Sequence, residues 1–282
     1  MSLLIPAVKA MMNHNYDMAL KYISNERNDD TYALAVAALS EFFTGRFEES
    51  CIHFKKFLEL NKEDNIELLD NNKAKNILSL LQDVEWLLQT LPEIDNFQEE
   101  QSIEIKDNVF DEIEELDDIL SLEESEYRHQ RIEQLWQDIK DGTSNENASN
   151  KEKAHYVFLA AILHSCMENF DDQDAINNLY LTAISLNPNR ALYYGYFTQH
   201  LISQKFSPIS ISFLVYRAIL LEPSNPRWHL NQAIALSKLI NMDSEFVYQV
   251  KFELDKALEL VTDNQEKLKE LILLVRENLY LD

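Results

Sequence analysis

Apolar residues recur along this chain at the spacing of helices that pack on one side. Phe47, Cys51, Phe54 and Leu58 follow one another at intervals of four, three and four residues, which places them on one helix face. Glycine occurs only three times in 282 residues, while leucine, alanine, glutamate and lysine are abundant. This balance favours helix and leaves few residues for the tight turns of sheet proteins. The pattern therefore predicts an all-α protein.

A helix-ending phrase recurs at a near-fixed interval. It reads Ala-Ile-Ser-Leu-Asn-Pro at 183–188, Ala-Ile-Leu-Leu-Glu-Pro at 218–223 and Ala-Leu-Glu-Leu-Val-Thr at 257–262. The alanine allows two helices to approach closely, the apolar residues face the core, and the proline ends the helix. Because the copies start 35 and then 39 residues apart, they indicate a repeated helix pair rather than one closed globule.

A further near-copy of the phrase, Phe-Leu-Glu-Leu-Asn-Lys at 57–62, follows Gly-Arg-Phe-Glu-Glu-Ser at 45–50. This combination resembles the tetratricopeptide repeat. The resemblance implies a right-handed α-solenoid of helix pairs, a scaffold that its family reuses for many protein partners. The same loose motifs also fit other helical-hairpin repeat families.

Composition shifts along the chain predict three regions. Residues 1–92 are read as N-terminal helix pairs with a capping helix, and residues 151–282 as C-terminal repeats with a closing helix. Residues 93–150 are read as an acidic amphipathic helical segment, with a polar linker from 141. Between 93 and 127 there are fifteen acidic residues and one basic residue, so this stretch supplies −14 of the chain's net charge of −24. The sequence thus predicts two repeat blocks joined by an acidic helical segment.

The acidic segment also carries an apolar stripe at helical spacing, formed by Val109, Phe110, Ile113, Leu116 and Leu120. A solvated spacer has no need for such a stripe. One interpretation is that this helix docks, either onto a partner or onto the protein's own concave surface. The other is that it packs as an ordinary helix between the two repeat blocks.

The resemblance implies a concave groove lined by the first helix of each pair, where related proteins hold a peptide or another protein's helix. One such helix offers an unusually aromatic set of candidate binding residues: Tyr193, Tyr194, Tyr196 and His200. Counting the register back from Pro223 places Tyr193, Tyr196 and His200 on the groove, whereas counting from the turn at Phe206 favours Tyr194. The alternative is that most of these rings pack between helices.

Charge limits the classes of partner. A net charge of −24 and an isoelectric point near 4.6 repel nucleic acid and anionic membranes, so we expect a basic or apolar protein partner. Some members of the family grip an acidic peptide terminus with cations on successive helices, and this chain does not reproduce that clamp. No apolar run reaches the ~20 residues of a membrane helix, and the opening residues lack the basic flank of a secretory signal. With Cys51 and Cys166 read as reduced thiols, the expected location is cytoplasmic.

The sequence lacks the residue spacings that catalytic and cofactor-binding sites require. Three scattered glycines cannot form a phosphate-binding loop, and no zinc-type pairing of histidine or cysteine occurs. The acidic run lacks the glycine and spacing of a calcium loop. We therefore expect no cofactor, no metal and no catalytic activity. The sequence favours a protein-binding scaffold or adaptor, with a chaperone for a secreted or assembling client protein as the alternative.

Overall fold

The computed structural model of this chain describes residues 3–24, 30–61, 68–81, 87, 91, 126–166, 172–262 and 265–279. Their regular secondary structure consists of thirteen α-helices. These are α1 (Leu4–Met12), α2 (Tyr16–Ile23), α3 (Thr31–Phe43), α4 (Phe47–Leu60), α5 (Asn71–Leu81), α6 (Glu126–Ser144), α7 (Asn150–Cys166), α8 (Gln173–Leu186), α9 (Ala191–Ser203), α10 (Pro208–Leu221), α11 (Pro226–Ser237), α12 (Phe246–Leu260) and α13 (Glu266–Asn278). None of these helices is both long enough and apolar enough to cross a bilayer.

Helices that follow one another in the sequence pack against each other. The contacts run from α1 to α2, α3, α4 and α5, then from α6 to α7 and α8, and finally from α10 to α11, α12 and α13. Short connections between antiparallel neighbours produce this arrangement in helical proteins. The predicted all-α fold class of adjacent helix pairs is confirmed.

The chain divides into two compact units. Unit 1 contains residues 1–89 and 201–282, and unit 2 contains residues 90–200. Unit 1 is therefore built from both ends of the sequence. The three regions expected from composition, 1–92, 93–150 and 151–282, remain a prediction.

Three helices end in the same way, with one residue in the left-handed region. That residue is His14 after α1, Gly45 after α3 and Lys205 after α9, with φ values of 58°, 80° and 55°. In each case the amide of the following residue donates to a carbonyl five residues back: Asn15 to Ala10, Arg46 to Glu41 and Phe206 to Leu201. Hydrogen bonds of this kind pair carbonyl groups that the last helical turn leaves without a partner. Glycine is the residue best suited to this backbone, and only one of the three positions has it.

The helix-ending phrase behaves as the sequence predicts. α8, α10 and α12 end within the three copies, and the alanine of each copy is completely buried: Ala183, Ala218 and Ala257. After each helix, the next amide donates to that alanine's carbonyl. The small side chain thus lies where the helix meets its neighbours, while the backbone of the same residue helps to end the helix.

The turn after α3 holds the two sequence segments of unit 1 together. Gly45 lies against Ser212 of α10 and Gln232 of α11, and a side chain at position 45 would overlap both. Gln232 Nε2 donates to the carbonyl of Thr44 over 3.4 Å. Glycine is therefore required at position 45 for two reasons: the backbone is left-handed there, and Ser212 and Gln232 leave no space for a side chain.

Aromatic rings fill the core beside this turn. Phe42 and Phe43 at the end of α3 lie with ring centroids 5.6 and 5.3 Å from that of Phe246, the first residue of α12. At the edge of this core, Arg217 of α10 donates to Glu48 of α4 over 3.1 Å. Because Arg217 is itself buried, this ion pair provides a partner for a charge that would otherwise be costly to bury.

In unit 2, α6 continues to Ser144, beyond the start of the linker predicted at residue 141. Gly142, part of that predicted linker, lies within the helix and against the ring of Tyr156 on α7. The linker therefore begins later than the sequence predicts, and this glycine permits close helix packing. The connection between α6 and α7 is the short segment 145–149.

Candidate protein-binding surface

The structure places the four candidate groove residues on α9, in the part of that helix that belongs to unit 2. Tyr193, Tyr194 and His200 are buried, whereas Tyr196 is partly exposed. The Tyr193 ring lies 4.7 Å from that of Phe158, and Tyr196 meets the same phenylalanine edge-on at 5.6 Å. A partner at this surface would therefore meet Tyr196 first. Binding by these residues remains a prediction.

Burial and hydrogen bonding define the state of these side chains. The Tyr194 hydroxyl donates to the carbonyl of Pro188 over 2.9 Å, which ties α9 to the connection that precedes it. Burial raises the pKa of Tyr193 to about 12 and lowers the pKa of His200. Both side chains are consequently held in their neutral forms, as is expected for rings enclosed by apolar neighbours.

The apolar stripe of the acidic segment, Val109, Phe110, Ile113, Leu116 and Leu120, lies outside the described residues. Its docking onto a partner or onto this protein stays a prediction.

Unit 1 contains a group of polar residues that joins the turn after α1 to the start of α12. His14 Nδ1 lies 2.6 Å from Glu245 Oε2, and the Tyr16 hydroxyl donates to the same oxygen over 2.7 Å. Burial, and then the hydrogen bond to Glu245, raise the pKa of Tyr16 well above its ordinary value. The phenol therefore keeps its proton and remains a donor. This cluster of His14, Tyr16 and Glu245 fixes the position of the His14 ring.

An exposed aromatic surface extends from that cluster. The ring of Tyr248 stacks on the ring of His14 with centroids 3.5 Å apart and planes 5° apart. Phe252 lies one turn further along α12, and both Tyr248 and Phe252 are 48% exposed. We call His14, Tyr248 and Phe252 the aromatic surface.

The sequence contains a signal for this surface that periodicity alone did not bring out. Val250, Leu254 and Ala257 form the buried side of α12. Tyr248 and Phe252 do not share the helical spacing of that buried stripe. Like Asp255 and Glu259, they are exposed on another side of α12. An aromatic pair on the polar side of an amphipathic helix is the feature that distinguishes α12.

Histidine–glutamate pairs recur within unit 1. In addition to the pair at His14, His53 Nδ1 lies 2.6 Å from Glu41 Oε2, and His229 Nδ1 lies 2.7 Å from Glu253 Oε2. The hydrogen bond that His53 donates to Glu41 raises the pKa of His53, and burial raises the pKa of Glu41. Within the described part of the chain, no group of three histidine, cysteine or acidic side chains is placed to hold a metal ion.

The described residues thus define an all-α protein of packed helix pairs with an aromatic surface on unit 1. The crystal structure of yeast Tom70 aligns with 96% of this chain and 67% of that chain, at 16% identity and a TM-score of 0.41. No protein-family model and no curated protein sequence matches the chain. The fold class stands on the helices and their packing.

Proposed function

We propose that this chain is a non-enzymatic protein-interaction scaffold that binds a basic or apolar segment of a partner protein. The observation that carries the proposal is the aromatic surface, where Tyr248 and Phe252 are each about half exposed on adjacent turns of α12. Tyrosine and phenylalanine are enriched at protein interfaces, since one ring buries a large area with few rotatable bonds. A pair on adjacent turns offers two anchors to a single partner segment.

Part of this surface is already ordered before any partner binds. The Tyr248 ring is stacked on His14, and His14 is held through Glu245, which also accepts a hydrogen bond from Tyr16. Binding usually costs about 0.5–1.5 kcal/mol for each flexible side chain that becomes fixed. Because the Tyr248 ring is held by its stacking contact, less of that cost remains for the complex.

Charge supports a basic partner. The chain has a net charge of −24. Such a field attracts cationic segments and accelerates their encounter with the protein. The faces of the two aromatic rings also accept lysine or arginine side chains.

Site-specific photo-crosslinking tests the proposal. A photoreactive phenylalanine analogue replaces Phe252, and an otherwise identical protein carries it at Tyr32, an exposed aromatic residue at the start of α3. In an extract of the cells that make this protein, we expect one abundant adduct from position 252 that position 32 does not give. Equal adducts from both positions, or none from position 252, would count against binding at the aromatic surface.

A further inference from the structure

The last described helix, α13, has more apolar residues than it buries. Six of its thirteen residues are apolar: Leu268, Leu271, Ile272, Leu273, Leu274 and Val275. In this helix Ile272 alone is buried, while Leu271, Leu273 and Leu274 are 46%, 41% and 52% exposed. A helix that is apolar on several sides is usually covered on those sides. We call Leu271, Leu273 and Leu274 the leucine face.

Contacts with α11 and α12 define the inner side of α13. Ile272 is completely buried there, and one turn later Arg276 Nη1 lies 2.8 Å from Asp255 Oδ1 of α12. With about 100° of rotation per residue, Leu274 lies roughly 200° around the helix from Ile272, and Leu271 and Leu273 lie about 100° to either side of Ile272. Leu274 therefore points away from the rest of unit 1, and Leu271 and Leu273 lie on the two flanks of the helix.

Acidic side chains surround the leucine face. Glu266, Glu270 and Glu277 are exposed on the outer half of α13, and none of them forms an ion pair with a described residue. Lys267 and Lys269 are exposed basic residues of the same helix. The exposed part of α13 thus presents leucines next to an acidic rim formed by Glu266, Glu270 and Glu277, in a chain that is strongly negative as a whole.

We propose that the leucine face binds an amphipathic helix of another protein, whose apolar stripe is flanked by lysine or arginine. The stripe would cover Leu271 and Leu274, and the basic flanks would meet Glu270 and Glu277. A second copy of this chain is a poorer occupant because it would bring the two acidic rims together. This surface lies on a different helix from the aromatic surface and goes beyond the function proposed above.

A peptide of defined design tests this inference on the full chain. The probe is a fourteen-residue amphipathic helix of leucine and lysine, and its control is a peptide of the same composition in an order without an apolar stripe. We expect the amphipathic peptide to bind about tenfold more tightly than the control. We expect Leu271→Ser/Leu274→Ser to lose about tenfold in affinity, and Ile52→Ser, at an exposed position on α4, to lose none.

A second variant addresses the acidic rim without touching the leucines. Glu270→Gln/Glu277→Gln should weaken peptide binding and reduce its dependence on salt, because two charges at the contact are removed. If both peptides bind equally, or if the serine variant binds as tightly as the wild type, the peptide is attracted only by the overall charge and the proposal fails.

Cross-linking of the protein alone identifies other occupants. A photoreactive residue at position 274 should give no major adduct in the absence of the peptide. Adducts between copies would show that a second copy covers the leucine face, and an intramolecular adduct would show that a segment of the same chain does so. Either adduct overturns the proposal, whereas the cross-linking result at Phe252 is unaffected and tests the proposed function separately.

Discussion

At the scale of single residues, His229 shows how unit 1 accommodates a buried charge. Its Nδ1 lies 2.7 Å from Glu253 Oε2, and its Nε2 lies 2.9 Å from the carbonyl oxygen of Pro223. Both ring nitrogens face acceptors, and only the protonated ring can donate two hydrogen bonds. Burial by itself lowers the pKa of His229, but the hydrogen bond and charge of Glu253, with the Pro223 carbonyl, raise it overall.

This pair makes stability depend on pH. A histidine with a raised pKa contributes fully below its unfolded value of about 6.5, and that contribution is lost as pH rises through the folded pKa. We expect His229→Gln to lose roughly 3 kcal/mol of unfolding free energy at pH 5.5 and less at pH 8.5. Urea unfolding of both proteins across this range measures the difference. A constant difference would show that the ring is not charged in the folded protein.

Lys205 offers a residue-level test of the left-handed helix ends. It is exposed and has a φ of 55°, a conformation that costs residues with a Cβ about 1–2 kcal/mol. We expect Lys205→Gly to raise stability by roughly 0.5 kcal/mol, after the greater freedom of glycine in the unfolded chain is subtracted. Lys205→Ala keeps the Cβ and is the matched control. Calorimetric melting decides, and equal melting temperatures for the two variants would contradict this account.

At the scale of helices, the recurring alanines determine how closely neighbouring helices approach. Ala183 is completely buried in α8, whereas Thr182 beside it is exposed. We expect Ala183→Leu to cost roughly 1–3 kcal/mol by overpacking and Thr182→Leu to cost much less. Thermal melts followed by circular dichroism measure both. Similar losses in the two variants would show that close packing at Ala183 does not control the result.

Helix positions could be predicted from the sequence because they follow from local spacing and from the residues that end helices. α8, α10 and α12 end within the recurring phrase. The linker was predicted to begin too early because Gly142, which lies against Tyr156 within α6, looks the same in sequence as a linker glycine. Tyr193 and Tyr194 illustrate a second limit: spacing identifies a helix face, but burial depends on which neighbours cover it.

At the scale of the whole molecule, unit 1 joins residues that are far apart in the sequence. Tyr16 bonds to Glu245, and the turn at Gly45 lies against Gln232. Local periodicity carries no information about such pairings. The sequence alone could have identified Tyr248 and Phe252 as aromatic residues off the buried stripe of α12. It could not have identified the contact between Tyr248 and His14. The candidate site was therefore less predictable than the helices that support it.

Gly45→Ala tests the joining of the two segments. The substitution strains the left-handed backbone and overlaps Ser212 and Gln232, so we expect a loss of roughly 1–3 kcal/mol. We also expect faster amide exchange in α10 and α11, far away in sequence. Adding Gln232→Ala should recover part of the loss by making space. If exchange accelerates only in α3 and α4, the two segments do not unfold as one unit.

The most direct test of the proposed function is a calorimetric titration of the partner captured at Phe252. Tyr248→Ala/Phe252→Ala removes both rings, while Tyr32→Ala removes an exposed ring elsewhere in unit 1. We predict that the double variant loses about 2 kcal/mol of binding free energy, roughly thirtyfold in affinity, as expected for a central aromatic anchor. The Tyr32→Ala protein should bind like the wild type. Unchanged affinity in a folded double variant would contradict the assignment of the aromatic surface as the partner-binding site.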